Sequence, residues 1–137
     1  MKERKPIHDN WKTPADLYQK LNDEFHFDFD PCPLNHDMSW NGLTVEWGKN
    51  NFINPPYSRK LKEAFINKAI KEGLKGKTCV CLLPVSTSTV LFHDYILPNI
   101  TEPIRFIRGR VKFEGINTNG ELVSNKCGMH DSMVVIF

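Results

Sequence analysis

Several large protein classes are excluded by what this chain lacks. No apolar run reaches the length of a membrane span, and Met1-Lys2-Glu3-Arg4-Lys5 leads into polar residues rather than an apolar signal region. The four cysteines, Cys32, Cys79, Cys81 and Cys127, form no CxxC pair and read as reduced thiols of a cytoplasmic protein. Cys32 and His36 have no second pair of matching spacing, so no metal site is expected. The five histidines share no useful spacing, no Ser-His-Asp pattern occurs, and no glycine-rich loop is available to cradle a phosphate. Internal repeats and low-complexity segments are also missing.

What remains fits one globular unit. The length of 137 residues and a 40% hydrophobic content predict a loose arm over residues 1–10 and a single domain over 11–137. Net charge is only +2, but it is unevenly spread. Residues 13–57 carry Lys20 and Lys49 against seven acids, a balance of −5, whereas residues 58–137 carry twelve cations against seven acids, a balance of +5. An acidic first half suits a cationic ligand and a basic second half suits a polyanion; a solvated surface with chance clustering is the alternative.

Periodicity gives the elements. Thr13-Pro14 opens a helix, Thr13 as N-cap and Pro14 at the first helical position, with Leu17, Tyr18 and Leu21 as its apolar stripe through Phe25. Phe27-Asp28-Phe29-Asp30 alternates with period two and reads as a short strand stopped by Pro31 and Pro33. Phe52-Ile53 is a second strand, and Ser58 caps a helix that Gly73 is placed to stop. Thr78 to Pro84 is a fully buried strand with Cys79 and Cys81 on one face. A helix follows over Ser88 to Leu97, then a strand over Ile104 to Ile107. Val111 to Phe113 and Glu121 to Val123 pair as a hairpin around Asn117-Thr118-Asn119-Gly120, and Ser132 to Phe137 closes the chain as a strand. Strands separated by helices predict an α/β sandwich around a mixed, mostly parallel sheet. Such sheets bind ligands at the carboxyl ends of their strands, which would bring the segments after Asp30 and Asn54 to one crevice.

The most informative stretch is Asn54-Pro55-Pro56-Tyr57. Two prolines fix φ and remove two backbone donors, leaving carbonyls as acceptors. An amide and an aromatic ring flank them. The set suits a planar exocyclic amine: two oxygens for its two hydrogens and a flat surface for the ring behind it. A Pro-Pro turn with an Asx cap is the plain alternative for Asn54, and a core tyrosine for Tyr57.

These four residues match the catalytic motif of the amino-methyltransferases, which move a methyl group from S-adenosyl-L-methionine (AdoMet) to an exocyclic nitrogen. From Trp11 onward the chain resembles the phage and prophage Dam-like DNA N6-adenine methyltransferases. Trp11-Lys12-Thr13-Pro14 is similar to that family's W-x-T-P opening, and Phe27-Asp28-Phe29-Asp30-Pro31-Cys32, with Asn35, to its D-x-C segment. Asn41-Gly42-Leu43 with Trp47, Asn54-Pro55-Pro56-Tyr57-Ser58, Leu83-Pro84 and Gly109-Arg110-Val111-Lys112-Phe113 follow in the family's order. The chain departs from the pattern in three places. The glycine-rich loop common in AdoMet-binding folds is replaced by Asp30-Pro31-Cys32-Pro33-Leu34-Asn35, only 23 residues separate Asp30 from Asn54, and Asn41 stands where an acid is expected.

The resemblance implies a compact Rossmann-like fold and direct methyl transfer to the N6 of a flipped adenine. It implies Asn54, Pro55, Pro56 and Tyr57 as catalytic residues, and Trp11, Thr13, Pro14, Asp30, Pro31, Cys32 and Asn35 as cofactor-binding residues. Ser58, Arg59, Lys60, Arg110, Lys112 and Phe113 would meet nucleic acid, the cations by binding phosphate. DNA, duplex or single-stranded, is the expected partner; neither a membrane nor a metal is, and oligomeric state is left open. For Asp30 a strand-end turn is the alternative, and for Thr13 and Pro14 a simple helix cap. Arg105 and Arg108 join the second basic cluster, whereas Lys68, Lys71 and Lys75 read as a solvated helix face. The motif also occurs in methyltransferases acting on RNA adenine or a glutamine amide, and a catalytically inactive DNA-binding homologue is the non-enzymatic alternative.

Overall fold

Two apolar layers, one on each face of a four-stranded sheet, organise the chain. The computed structural model describes residues 12–33, 39–116, 122–124 and 130–137. Trp11, Asn35, His36, Cys127, the arm over residues 1–10 and the expected turn at 117–120 lie outside them.

Helix α1 (Ala15–Phe25) is followed by β1 (Asn50–Ile53), α2 (Arg59–Leu74) and β2 (Thr78–Pro84). A π-helix over Leu91–Ile96 and a 3₁₀ turn over Leu97–Asn99 come next, then β3 (Arg105–Phe106), β4 (Glu114–Ile116), β5 (Leu122–Ser124) and β6 (Ser132–Ile136). The sheet order is β1-β2-β6-β3, and β4 with β5 forms a separate antiparallel pair. In β2 the pleat sends Cys79, Cys81 and Leu83 to one layer, shared with Phe65, Ile66 and Ala69 of α2 and with Phe92 and Ile96 of the π-helix. Val80 and Leu82 go to the other layer, shared with Leu21 of α1, Phe52, Val111 and Phe113.

The sheet is mixed, as expected, but mostly antiparallel rather than mostly parallel. Among the described strands β1 and β2 run parallel, and β6 is antiparallel to both β2 and β3. Ser132 enters the sheet beside Pro84, at the end where β2 leaves it, and this entry point fixes the direction of β6. The expected strand at Phe27–Asp30 is reduced to one bridge, Phe29 to Asn51. The Asp28 carboxylate is the reason for part of this. It accepts from the backbone N–H groups of Lys49 (3.2 Å) and Asn50 (2.9 Å) and replaces ladder bonds.

Other boundaries moved for local reasons. Pro14, not Thr13, is the N-cap of α1, and no side chain caps that helix. Ser58 holds the N-cap position of α2, again with no side-chain capping bond. That helix runs one residue past Gly73, and the left-handed backbone falls at Gly76 (φ 93°). Gly73 serves packing instead: a Cβ there would lie 2.9 Å from the carbonyl carbon of Phe137. The helix expected over Ser88–Leu97 is a widened π-turn ending in a 3₁₀ turn that contains Pro98. The hairpin sits three residues later than expected on its first strand, leaving Val111 and Phe113 as buried, non-strand residues.

Lys68 and Lys75 are not a bare solvated face. Lys68 Nζ donates to the carbonyls of Leu43 and Val45, both at 3.0 Å, and lies over the Trp47 ring. Lys68, Lys75 and Lys77 surround the Glu72 carboxylate, with the nearest approaches at 3.3 Å (Lys77) and 3.4 Å (Lys75). Burial pushes the Glu72 carboxyl up, but Lys77 and Lys75 outweigh it and hold the group below its usual range. Glu72→Ala would remove the shared counter-ion of three ammonium groups that solvent still reaches, so a loss of about 1 kcal/mol is expected in denaturant melts. A group with a depressed folded pKa contributes stability above its unfolded value. The Glu72 contribution should therefore be complete above about pH 4.5 and fade as pH falls below it.

Candidate active site

The chain leaves the sheet where β1 ends, beside the carboxyl end of the parallel strand β2. Phe52 and Ile53 are locked into opposite apolar layers, so Asn54 emerges at a fixed height and angle. Its Nδ2 donates to Thr13 Oγ1 at 3.1 Å. This bond joins residues 41 apart in sequence. It gives Thr13 a task other than capping α1 and fixes which way the amide faces.

Asn54 borders two cavities. On one side, a cleft of about 410 Å³ is lined by Lys12, Thr13, Tyr18, Asp30, Cys32 and Asn54 among others. Ala15 lines it too, so the first turn of α1 faces the cleft. The juxtaposition of the Asp30 and Asn54 segments is thus as expected from their places after short strands. On the other side, a narrow pocket of about 10 Å³ is lined by Asn54, Pro55, Tyr57, Lys62, Phe113 and His130 with the end of β2. The Tyr57 and Phe113 rings meet edge to face there, centroids 6.1 Å apart at 86°. Burial pushes the Tyr57 phenol up to about 12, so its hydroxyl is protonated at neutral pH.

Asp30 is held in place from two directions. Its Oδ1 accepts the Cys32 backbone N–H at 2.8 Å, an Asx turn, so the turn reading of this residue holds alongside its place in the cleft. The Pro31 carbonyl accepts from Trp40 Nε1 at 3.0 Å. Gly42 packs so closely on that carbonyl that a Cβ would lie 2.0 Å from its oxygen, so no other residue fits without moving the turn. The Asn41 amide accepts from the Leu43 N–H (3.0 Å) and shapes this glycine's loop; it does not line the cleft. Burial pushes the Asp30 carboxyl up to about 6, with the Cys32 N–H opposing the shift. Among the described residues, no Lys, Arg or His forms an ion pair with Asp30. Burial also raises the Cys32 thiol and, with Asp30, the Tyr18 phenol.

The remaining expected residues divide. Pro55 and Pro56 are buried beside Asn54, and Pro55 reaches the narrow pocket. Pro31 is buried in the turn rather than in the cleft wall, and Pro14 adjoins the cleft only through Thr13 and Ala15. Ser58 is exposed at the start of α2; Arg59 pairs with Glu63 at 3.2 Å, while Lys60 and Lys112 are exposed. Phe113 is buried against Tyr57 instead of standing open. The second basic cluster is partly neutralised. Arg105 makes two bonds to Glu24 and one to Glu102, all at 2.7 Å, and Arg110 pairs with Asp131 at 3.5 Å. Tyr18, Lys12 and His130 carried no sequence signal as site residues, because only the fold brings them to these walls. No group of three metal-ligating side chains occurs among the described residues, and none of their helices is long and apolar enough to cross a membrane.

An α/β sheet with an Asn-Pro-Pro-Tyr corner between a carboxylate-bearing cleft and an aromatic pocket has the parts an amino-methyltransferase needs. The chain matches the family described as DNA N-6-adenine-methyltransferase (Dam) over residues 1–137, its whole length, and belongs to that family. Comparison with curated proteins and with solved structures gave no significant match.

Proposed function

We propose that this protein transfers a methyl group from AdoMet to the exocyclic N6 of an adenine in DNA, on a shortened Rossmann-like framework. The observation that carries this reading is the position of Asn54: one amide borders both the Asp30 cleft and the Tyr57 pocket. The cleft fits the cofactor by chemistry as well as size. Its volume is in the range of small-molecule sites, and its half-buried carboxylate, with no ion-pair partner among the described residues, matches an ammonium group. Asp30 and Cys32 would hold the amino-acid end, with Trp11 and Asn35 assisting. The exposed N–H groups of the first turn of α1, set by Thr13 and Pro14, would meet its carboxylate. Pro31 shapes the turn. AdoMet, when bound, supplies an electrophilic methyl group on a sulfonium.

The chain's own residues prepare the nucleophile. The N6 lone pair of adenine is delocalised into the ring and attacks poorly. Asn54 Oδ1 and the Pro55 carbonyl accept the two N6 hydrogens, which favours the pyramidal nitrogen and is worth most as charge develops in the transition state. A carbonyl oxygen carries two lone pairs, so Asn54 can do this while making other bonds. Pro56 fixes the corner, and Tyr57 stacks on the base. A duplex adenine cannot reach this corner, so the base leaves the helix, and stacking offsets part of the cost. The narrow pocket holds about one water, so adenine entry has to part the Tyr57 and Phe113 rings. Ser58, Arg59, Lys60, Arg110 and Lys112 lie outside the pocket, where phosphates would pass.

Incubation with tritiated AdoMet and mixed-sequence DNA tests the reading. Label recovered as N6-methyladenine is the expected result. Absence of label at concentrations where AdoMet binding is measured would overturn it, and label in RNA or in a glutamine side chain would move the same chemistry to another substrate.

A further inference from the structure

A third cavity, of about 590 Å³, opens beside the narrow pocket and has no part in the reaction described above. Lys62, Leu83 and Pro84 line both, so the two adjoin. The floor is apolar, with Ile66, Phe92, Ile96 and Met133. The rim carries two cations, Arg59 and Lys62, against one acid, Glu63. Its outer wall is the π-helix Leu91–Ile96, closed by the five-residue bond from Leu97 N–H to the Phe92 carbonyl. Such widened turns are rare and concentrate at functional sites. Tyr95 lines the groove from this turn with 47% of its surface exposed.

We propose that this groove seats the nucleotide next to the target adenine in the same strand, its base stacked on Tyr95 and its phosphate held by Arg59 and Lys62. The proposal rests on the function proposed above. Adjacency to the acceptor pocket selects the occupant: a strand whose adenine stands at Asn54 must send its neighbouring residue along one of the adjoining walls, and this wall is both roomy and cationic. The Arg59–Glu63 pair is surface-exposed and therefore weak, so a phosphate can take Arg59 from Glu63. An aromatic face open to solvent binds any base, which makes the contact tolerant of sequence.

The test uses the full chain and a 12-nucleotide strand with one adenine, alongside versions with an abasic position on either side of it. In the wild-type protein, one of the two abasic strands should raise KM about tenfold. Tyr95→Ala should raise KM for the intact strand by the same factor and be indifferent to that abasic position, with KM for AdoMet unchanged; Tyr95→Phe should restore the wild-type pattern. Fluorescence polarisation of the same strands gives the pattern without turnover. If no strand is methylated but the polarisation pattern holds, the function above fails and the groove stands. Additive effects of Tyr95→Ala and the abasic position, no effect of Tyr95→Ala, or no binding of any strand would overturn the groove. A changed sedimentation coefficient for Tyr95→Ala at unchanged strand affinity would make this face an interface between copies, and would overturn it equally.

Discussion

Asn54→Ala should lower kcat for DNA methylation by at least about 10²–10³-fold, the range seen when one preorganised group facing developing charge is removed. The fold should survive. Thr13 loses a 3.1 Å bond, and because Thr13 is buried the expected loss is about 1 kcal/mol. AdoMet affinity should change little, since Asn54 contributes one edge of a cleft whose carboxylate and first helical turn remain. The informative comparison is therefore kcat against the AdoMet dissociation constant in one preparation, with a melting curve as control. Unchanged turnover in a folded mutant would remove Asn54 from the chemistry. Loss of AdoMet binding along with turnover would instead make it a structural strut of the cleft.

Asp30→Asn should have two effects of opposite sign. The half-buried carboxyl sits at about 6 rather than the ordinary 3.8, so ionising it costs the folded protein free energy. A raised acid pKa means that this cost is absent below pH 3.8, grows between 3.8 and 6, and is complete above 6. Two pKa units correspond to at most about 3 kcal/mol, so without cofactor the asparagine variant should melt higher at pH 7.5 and show little gain at pH 4. The asparagine oxygen can still accept the Cys32 N–H, so the turn is kept. Under the proposed function AdoMet binding should nevertheless fall steeply, because the Asp30 charge is the one its ammonium group would meet. In the wild type, AdoMet affinity should rise with pH through about 6 and level off above it. Tyr18 and Cys32 are both shifted upward, away from this window. Calorimetry between pH 5 and 8 checks both halves; a variant that binds AdoMet normally would assign Asp30 to the turn alone.

The sequence made the local parts of this site readable and hid the parts that depend on distant chain. The continuous apolar run of Thr78–Pro84 led directly to a strand buried on both faces, with Cys79 and Cys81 together in one layer and Val80 in the other. The abrupt proline stops after Ile53 and Asp30 correctly placed two segments at one crevice. Strand direction was not readable, because an apolar run such as Ser132–Ile136 is equally buried whichever way it runs. Alternation at Phe27–Asp30 suggested a strand, but a carboxylate facing two backbone donors ended the ladder early. Charge was the least readable property. Lys68 and Arg105 look alike in sequence to the cations left on the surface, yet one anchors a loop and the other is claimed by two glutamates.

The hydrogen bond between Thr13 and Asn54 has a thermodynamic consequence. It ties a wall of the Asp30 cleft to the Asn54 corner, so under the proposed function a ligand that fills one compartment should stiffen the amide that the other would use. Such linkage is reciprocal: the factor by which AdoMet strengthens DNA binding must equal the factor by which DNA strengthens AdoMet binding. Titrating each ligand in the presence and absence of the other should return one number twice, above unity in the intact protein and near unity in Thr13→Val.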